Sequence, residues 1–172
     1  RGGGGRAGGP PRLPPVLKKA AEEIEFAHQD GTKLLTTDDL PDELRQIYAP
    51  PVVLYVKGDP AALCALKMAV VGSRDASIYG RQTASLIAKE LAEAGVTIVS
   101  GMAMGIERAA HEGALAAGGT TVAVLACGLA KISDGAPREM ADRILAAQGA
   151  LVSEYPMRMN AEPGFFPVRN RI

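Results

Sequence analysis

Two short stretches of this chain carry residue types suited to holding a phosphate and a flat ring. The first is GSRDASIYG, residues 72–80. Gly72 lets the backbone turn tightly and approach a ligand. Ser73 offers a hydroxyl, and Arg74 a permanently charged planar fork that matches phosphate oxygens. The stretch feeds a helical pattern, so unpaired N–H groups and a helix's positive end face the same spot. The second is GFFPVRNRI, residues 164–172, where Phe165 and Phe166 stand beside Arg169, Asn170 and Arg171. Rings that stack bases and guanidinium groups that hold phosphates are what a single-strand binder needs. The same residues also fit a loop whose phenylalanines plug a core edge. In an extended stretch alternate side chains face opposite ways. On that alternation Phe166 faces a ligand, Phe165 faces the core, and part of the Arg-Asn-Arg braces the loop.

A third stretch, SGMAMGIERAAHEGAL at 100–115, places Gly101 and Gly105 around a tight turn. Glu107 falls in the first turn of the next helix, where a carboxylate complements the dipole. Ser100, Glu107 and His111 include a nucleophile, an acid and a base, and would act together only if they met in space. The competing reading of His111 is a hydrogen-bonded structural residue on a helix packed against a sheet. The common nucleotide fingerprints are missing. No GxGxxG falls in these stretches, no acid closes the run before Ser100-Gly101, and no GxxxxGK[ST] occurs anywhere.

The elements that must position these loops follow from the apolar pattern. Residues 16–30 and 38–48 read as short helices, the second broken by Pro50 and Pro51. Residues 52–58 read as a strand. From there strands over 68–72, 96–101, 120–128 and 150–156 alternate with helices over 81–95, 106–118 and 138–149. Continuous apolar strands, each followed by a helix, predict an α/β fold: a Rossmann-like, doubly wound, mainly parallel sheet with helices on both faces. Ligands of such sheets bind at the carboxyl ends of the strands, where all three stretches fall. The organisation predicted is a flexible Gly/Pro-rich linker over 1–15, a helical lead-in over 16–50 and the Rossmann-like domain over 51–172. Arg1, Arg6 and Arg12 in the linker read as solvated.

Composition narrows the function classes. Lys+Arg and Asp+Glu both number 19, so a phosphate site must come from local placement of a few cations. The only cysteines, Cys64 and Cys127, form no CxxC pattern. They read as two buried thiols in a reducing compartment, with no metal site and no disulfide framework. With no signal peptide and no long apolar run, a soluble cytoplasmic protein without membrane contact is expected.

The motifs AVVGSRDASIYG, IVSGMAMGIERAAHEGAL, VAVLACGL, ALVSEYP and FFPVRNRI, with the lead-in APPVVLYVKGD, resemble in order and spacing the DNA-processing protein A, or DprA/Smf, family. The resemblance covers roughly residues 40–172. It implies a protein of natural transformation that binds incoming single-stranded DNA, protects it and helps load the RecA recombinase, with a homodimer among its assemblies. No catalysis, cofactor or metal is implied. Carried over by position, the DNA-contacting residues are Gly72, Ser73, Arg74, Gly101, Gly105, Phe166, Arg169, Asn170 and Arg171. The alternative is a Rossmann-like protein that binds a nucleotide or cleaves its N-glycosidic bond, although the PGGxGTxxE-type loop of such enzymes is absent. Three departures stand out. Met104 and Glu107 replace the arginine and aspartate of the usual SGLARGID. Ala130, Ser133 and Asp134 occupy the Asp, Tyr and Pro positions of GLDxxYPxxN. Pro163 and Gly164 fill the stretch where a lysine often precedes the final aromatic. Weaker DNA affinity is expected from the lost cations. The family's domains continue with more strands and helices, so the chain reads as C-terminally truncated.

Overall fold

Short runs of β-branched and small apolar residues build one six-stranded sheet. The computed structural model describes residues 14–172, so the expected linker, with Arg1, Arg6 and Arg12, lies almost wholly outside the described residues. The strands are β1 (Lys33–Thr36), β2 (Val53–Gly58), β3 (Lys67–Ala69), β4 (Thr97–Ser100), β5 (Thr121–Val124) and β6 (Ala150–Ser153). Their order across the sheet is β1-β2-β6-β5-β4-β3. β3 to β6 run parallel, while β2 pairs antiparallel with both β6 and β1. The helices are α1 (Pro15–Gln29), α2 (Asp42–Arg45), α3 (Ile78–Glu93), α4 (Ile106–Ala116), α5 (Ala136–Ala146) and α6 (Phe165–Arg169). None of the described helices is long and apolar enough to cross a membrane.

The fold is Rossmann-like α/β with helical elements on both faces, unevenly shared. The parallel strands lie side by side in chain order without reversal. Side chains alternate across a strand, and the register Ile98↔Thr121, Val99↔Val122 sorts them cleanly. Tyr55, Ala123, Leu125 and Leu151 face α1 and α5, and Ile98 faces α3 and α4. Leu54, Val56, Val122, Val124 and Val152 face only α2 and the 3-10 turn Pro60–Leu63. All three crossover helices therefore share one face.

Several element expectations need correction. The sheet includes β1, which the apolar pattern did not reveal because Lys33–Thr36 is only four residues and half-exposed. The helix expected over 38–48 is two pieces, a 3-10 turn Thr37–Asp39 and α2. The Thr36 N–H donates to Asp39 Oδ2 at 2.8 Å, closing the first turn, and Pro41 starts the second. Cys127 is buried, and burial raises its thiol pKa, but Cys64 is exposed.

α3 and α4 pack closely because their facing surfaces are small. Ala84, Ala88 and Ala92 of α3 and Ala110 and Ala114 of α4 are buried. Gly113 lies against the α3 backbone, where an added Cβ would sit 2.1 Å from the Ser85 carbonyl oxygen. Gly113→Ala gains about 1 kcal/mol of helix propensity. Overpacking against backbone costs about 1–3 kcal/mol. The clash is expected to win, lowering the urea midpoint with the m-value unchanged. An unchanged or higher midpoint would show that the two helices separate freely.

Candidate nucleic-acid interface

The loops after β3, β4 and β5 meet at the carboxyl end of the sheet and enclose a cavity of about 540 Å³. Met102, Ala103, Leu125, Ala126, Ile132 and Phe166 give it apolar walls, and Arg74, Asp75, Lys131 and Arg169 are its charged lining. Phe166 comes from α6, in a segment expected to be irregular or extended. Pro167 sits in the first turn of α6, where a missing N–H is tolerated. The helix replaces period two with period 3.6, which changes where each side chain points.

The Arg74 guanidinium lies over the Phe166 ring, 4.4 Å from its centroid. This cation–π contact joins the two stretches in one place. Phe165 stacks on Tyr155 with centroids 4.2 Å apart, away from the cavity, but it is half-exposed and belongs to none of the core clusters, so it does not face the core as expected. Ser73 is exposed beside Arg74, and its hydroxyl accepts from the Asp75 N–H at 3.1 Å. Gly105, at φ +84°, has room for no Cβ, which would meet the Ser73 carbonyl oxygen at 2.2 Å. The Ile106 N–H donates to that oxygen at 3.2 Å, so the start of α4 holds the GSR loop in place. Gly72 lies against Ile106 and serves the same contact.

The remaining residues do other work. Arg169 is 6% exposed. Its Nη2 donates to Glu107 Oε1 at 3.2 Å, its Nη1 to the Val124 carbonyl and its Nε to Asn170 Oδ1 at 3.0 Å. Glu107 also accepts from the Ala103 N–H at 3.0 Å. Gly101 is the space this ion pair occupies: a Cβ there would lie 2.0 Å from Arg169 Nη1 and 2.3 Å from Glu107 Oε2. Arg171 grips Glu154 with both terminal nitrogens and donates from Nε to the Ala49 carbonyl at 2.8 Å. The structure thus places Phe166 and Arg74 together at the cavity, with Ser73 next to Arg74 on the GSR loop but outside the cavity lining. Gly101, Arg169, Asn170 and Arg171 brace the loops around it. Arg158 lies over Phe26 of α1 at 3.8 Å.

Ser100, Glu107 and His111 form no catalytic relay. The Ser100 hydroxyl donates to the Val70 carbonyl. His111 is fully buried, with Nε2 2.7 Å from the Gly101 carbonyl and Nδ1 2.7 Å from the Thr121 hydroxyl. The carbonyl only accepts, so Nε2 carries the proton of the neutral ring. Desolvation, opposed by the Gly101 bond and aided by the Arg169 charge, pulls the His111 pKa down to about 4. Sequence reasoning left Lys131 unassigned. Its position in the loop after a parallel strand was the only signal for it.

A sequence profile of the family described as DNA recombination-mediator protein A matches residues 32–172. The chain is 35% identical to the DNA processing protein DprA of Bacillus subtilis over 94% of its own length and 53% of that protein's. It is 42% identical to the protein Smf of Escherichia coli over 90% of its length and 42% of that protein's. It therefore spans about half the length of these relatives, or less. The X-ray structure of DprA from Streptococcus pneumoniae superposes with a TM-score of 0.75 at 35% identity, covering 93% of this chain and 58% of that one. DNA processing protein A from Helicobacter pylori, whose single-stranded DNA binding mode has been studied structurally, gives 0.70 at 31% identity over 81% of this chain and 62% of that one.

Two stability predictions follow from the buried groups. Removing one partner of a buried ion pair strands the other's charge, at about 3–5 kcal/mol. Glu107→Ala and Arg169→Ala are each expected to lose that much in chemical denaturation. The double variant Glu107→Leu/Arg169→Met should lose less than either. A double variant as damaging as the sum of both would refute the pairing. For His111 the unfolded chain binds a proton near pH 6.5, whereas the folded chain resists it until about 4. Stability contributed by the neutral ring is present above pH 6.5 and lost as pH falls towards 4, by roughly 3 kcal/mol in all. The melting temperature should fall over that window, and His111→Gln should flatten the fall. An unchanged profile in the variant would assign the pH effect to other groups.

Proposed function

This chain belongs to the DNA recombination-mediator protein A family, and we propose that it is a single-stranded-DNA-binding module whose cleft is the cavity beside Arg74 and Phe166. The observation that carries this reading is the Arg74–Phe166 contact at the mouth of an apolar cavity. A cation and a ring in one spot serve a phosphate and its neighbouring base at once. A base stacking on Phe166 displaces the guanidinium, which turns to the adjacent phosphate. Ser73 and Lys131 extend the phosphate contacts to either side. A single strand fits better than a duplex, because duplex bases are already stacked and paired.

Support comes also from relatives named as DNA processing proteins and from a structural neighbour studied for its single-stranded DNA binding. On the family resemblance, the role is protection of incoming DNA in transformation and loading of the RecA recombinase, with a second copy of the chain as a further partner. No reaction is assigned to the cleft. The best acid–base candidate, His111, is buried with both nitrogens engaged, and Ser100 donates to backbone.

Fluorescence anisotropy with labelled oligo-dT tests the cleft. Arg74→Ala should weaken binding and make the log K against log salt slope shallower by about 0.7, one phosphate contact on a single strand. Phe166→Ala should cost about 1–3 kcal/mol of binding with little change in slope, as expected for lost stacking. If neither substitution weakens binding, the cleft is misplaced. Turnover of a nucleoside monophosphate, followed by HPLC, would favour the N-glycosidic-bond-cleaving alternative instead.

A further inference from the structure

A second groove, of about 690 Å³, runs between α3 and α4. Arg74 and Met104 line both it and the cavity, so the two are joined at that point. The groove carries Arg81, Lys89 and Arg108 as cations, with Gln82 and Ser85 between them and Glu112 as its one carboxylate. We propose that it is the continuation of the nucleic-acid track, holding the backbone of the same single strand for several nucleotides beyond the cleft. The inference rests on the cleft reading and adds a surface to it.

Three features support a backbone track. Arg81, Ser85 and Lys89 recur every four residues along α3, about 6 Å per step. Repeated donors on one stripe suit a repeating phosphate chain. The cations are held only lightly. Arg108 pairs with Glu112 at 2.9 Å and Lys89 with Glu93 at 3.7 Å, in side chains 40–54% exposed. Such exposed helix pairs hold their cations only weakly. Arg81 uses only Nη1, on the Ala76 carbonyl, and its other donors have no partner among the described residues. At the junction, Met104 is 73% exposed and offers an apolar rest for a base between the two anion sites.

The test uses this chain with oligo-dT of about 6 and about 20 nucleotides, lengths that bracket typical single-strand site sizes. The variant is Arg81→Ala/Lys89→Ala/Arg108→Ala, none of which lines the cleft. The wild type should bind the longer oligonucleotide more tightly. The triple variant should bind the short one within about twofold of wild type. It should lose about tenfold on the long one, with a salt slope shallower by about 2, three contacts at about 0.7 each. Equal affinity for the long oligonucleotide in variant and wild type overturns the proposal. So does an equal loss at both lengths, which would place the three cations in the first cleft. Failure of the cleft reading looks different: there the wild type binds neither length, and the extension falls with it. Circular dichroism confirms that the exposed substitutions leave the fold intact.

Discussion

The buried ion pair between Glu107 and Arg169 fixes the geometry of everything around the cavity. It ties the start of α4 to α6, two elements 62 residues apart in the chain. Arg169 also reaches the Val124 carbonyl at the end of β5, and Glu107 reaches the Ala103 N–H in the loop after β4. Four separate segments therefore share one pair of charges. Burying two charges is costly, and the cost is offset only when every polar atom finds a partner. Here none of the described buried side-chain nitrogens or oxygens lacks one. Gly101 makes the arrangement sterically feasible, and His111 anchors the Gly101 carbonyl from behind.

That constraint bears on how a chain of zero formal net charge keeps uncompensated cations at the cavity. Arg169 is paired inside the fold with Glu107, and Arg171 is paired with Glu154 at the partly exposed edge. The two pairs compensate these charges and let α6 hold Phe166 at a defined place. Two cations then line the cavity without an ion-pair partner among the described residues, Lys131 and Arg74, the latter on a loop held by Gly105 and the first N–H of α4. Rigid neighbours position a mobile charge, which is the economical division of labour for a binding site.

The sequence pattern revealed the parallel strands, the three crossover helices and the loops that converge. Long apolar periods survive tertiary packing, so these were readable. β1 and α6 were not, for different reasons. β1 is too short and too exposed to show a period. α6 hides behind Pro163, Gly164 and Pro167, which signal irregular chain unless one asks whether the proline falls in a first turn. Missing that helix misdirected Arg169 and Arg171. In an extended strand they would share a face; on a helix end they diverge into separate ion pairs. The motif drew attention to these residues and could not say which arginine would face inward.

The departures from the family pattern are partly absorbed by the same geometry. Glu107 stands where the resemblance leads one to expect an aspartate, and its carboxylate reaches both the Ala103 N–H and Arg169. Met104 stands where an arginine is usual, and it leaves an exposed apolar surface between two cationic grooves rather than a gap in the fold. Lys131 lines the same cavity as Arg74, from the loop after β5. Affinity in such a site depends on how many cations reach the strand, not on which loop supplies them. The loops can therefore vary as long as the ion pair beneath them does not.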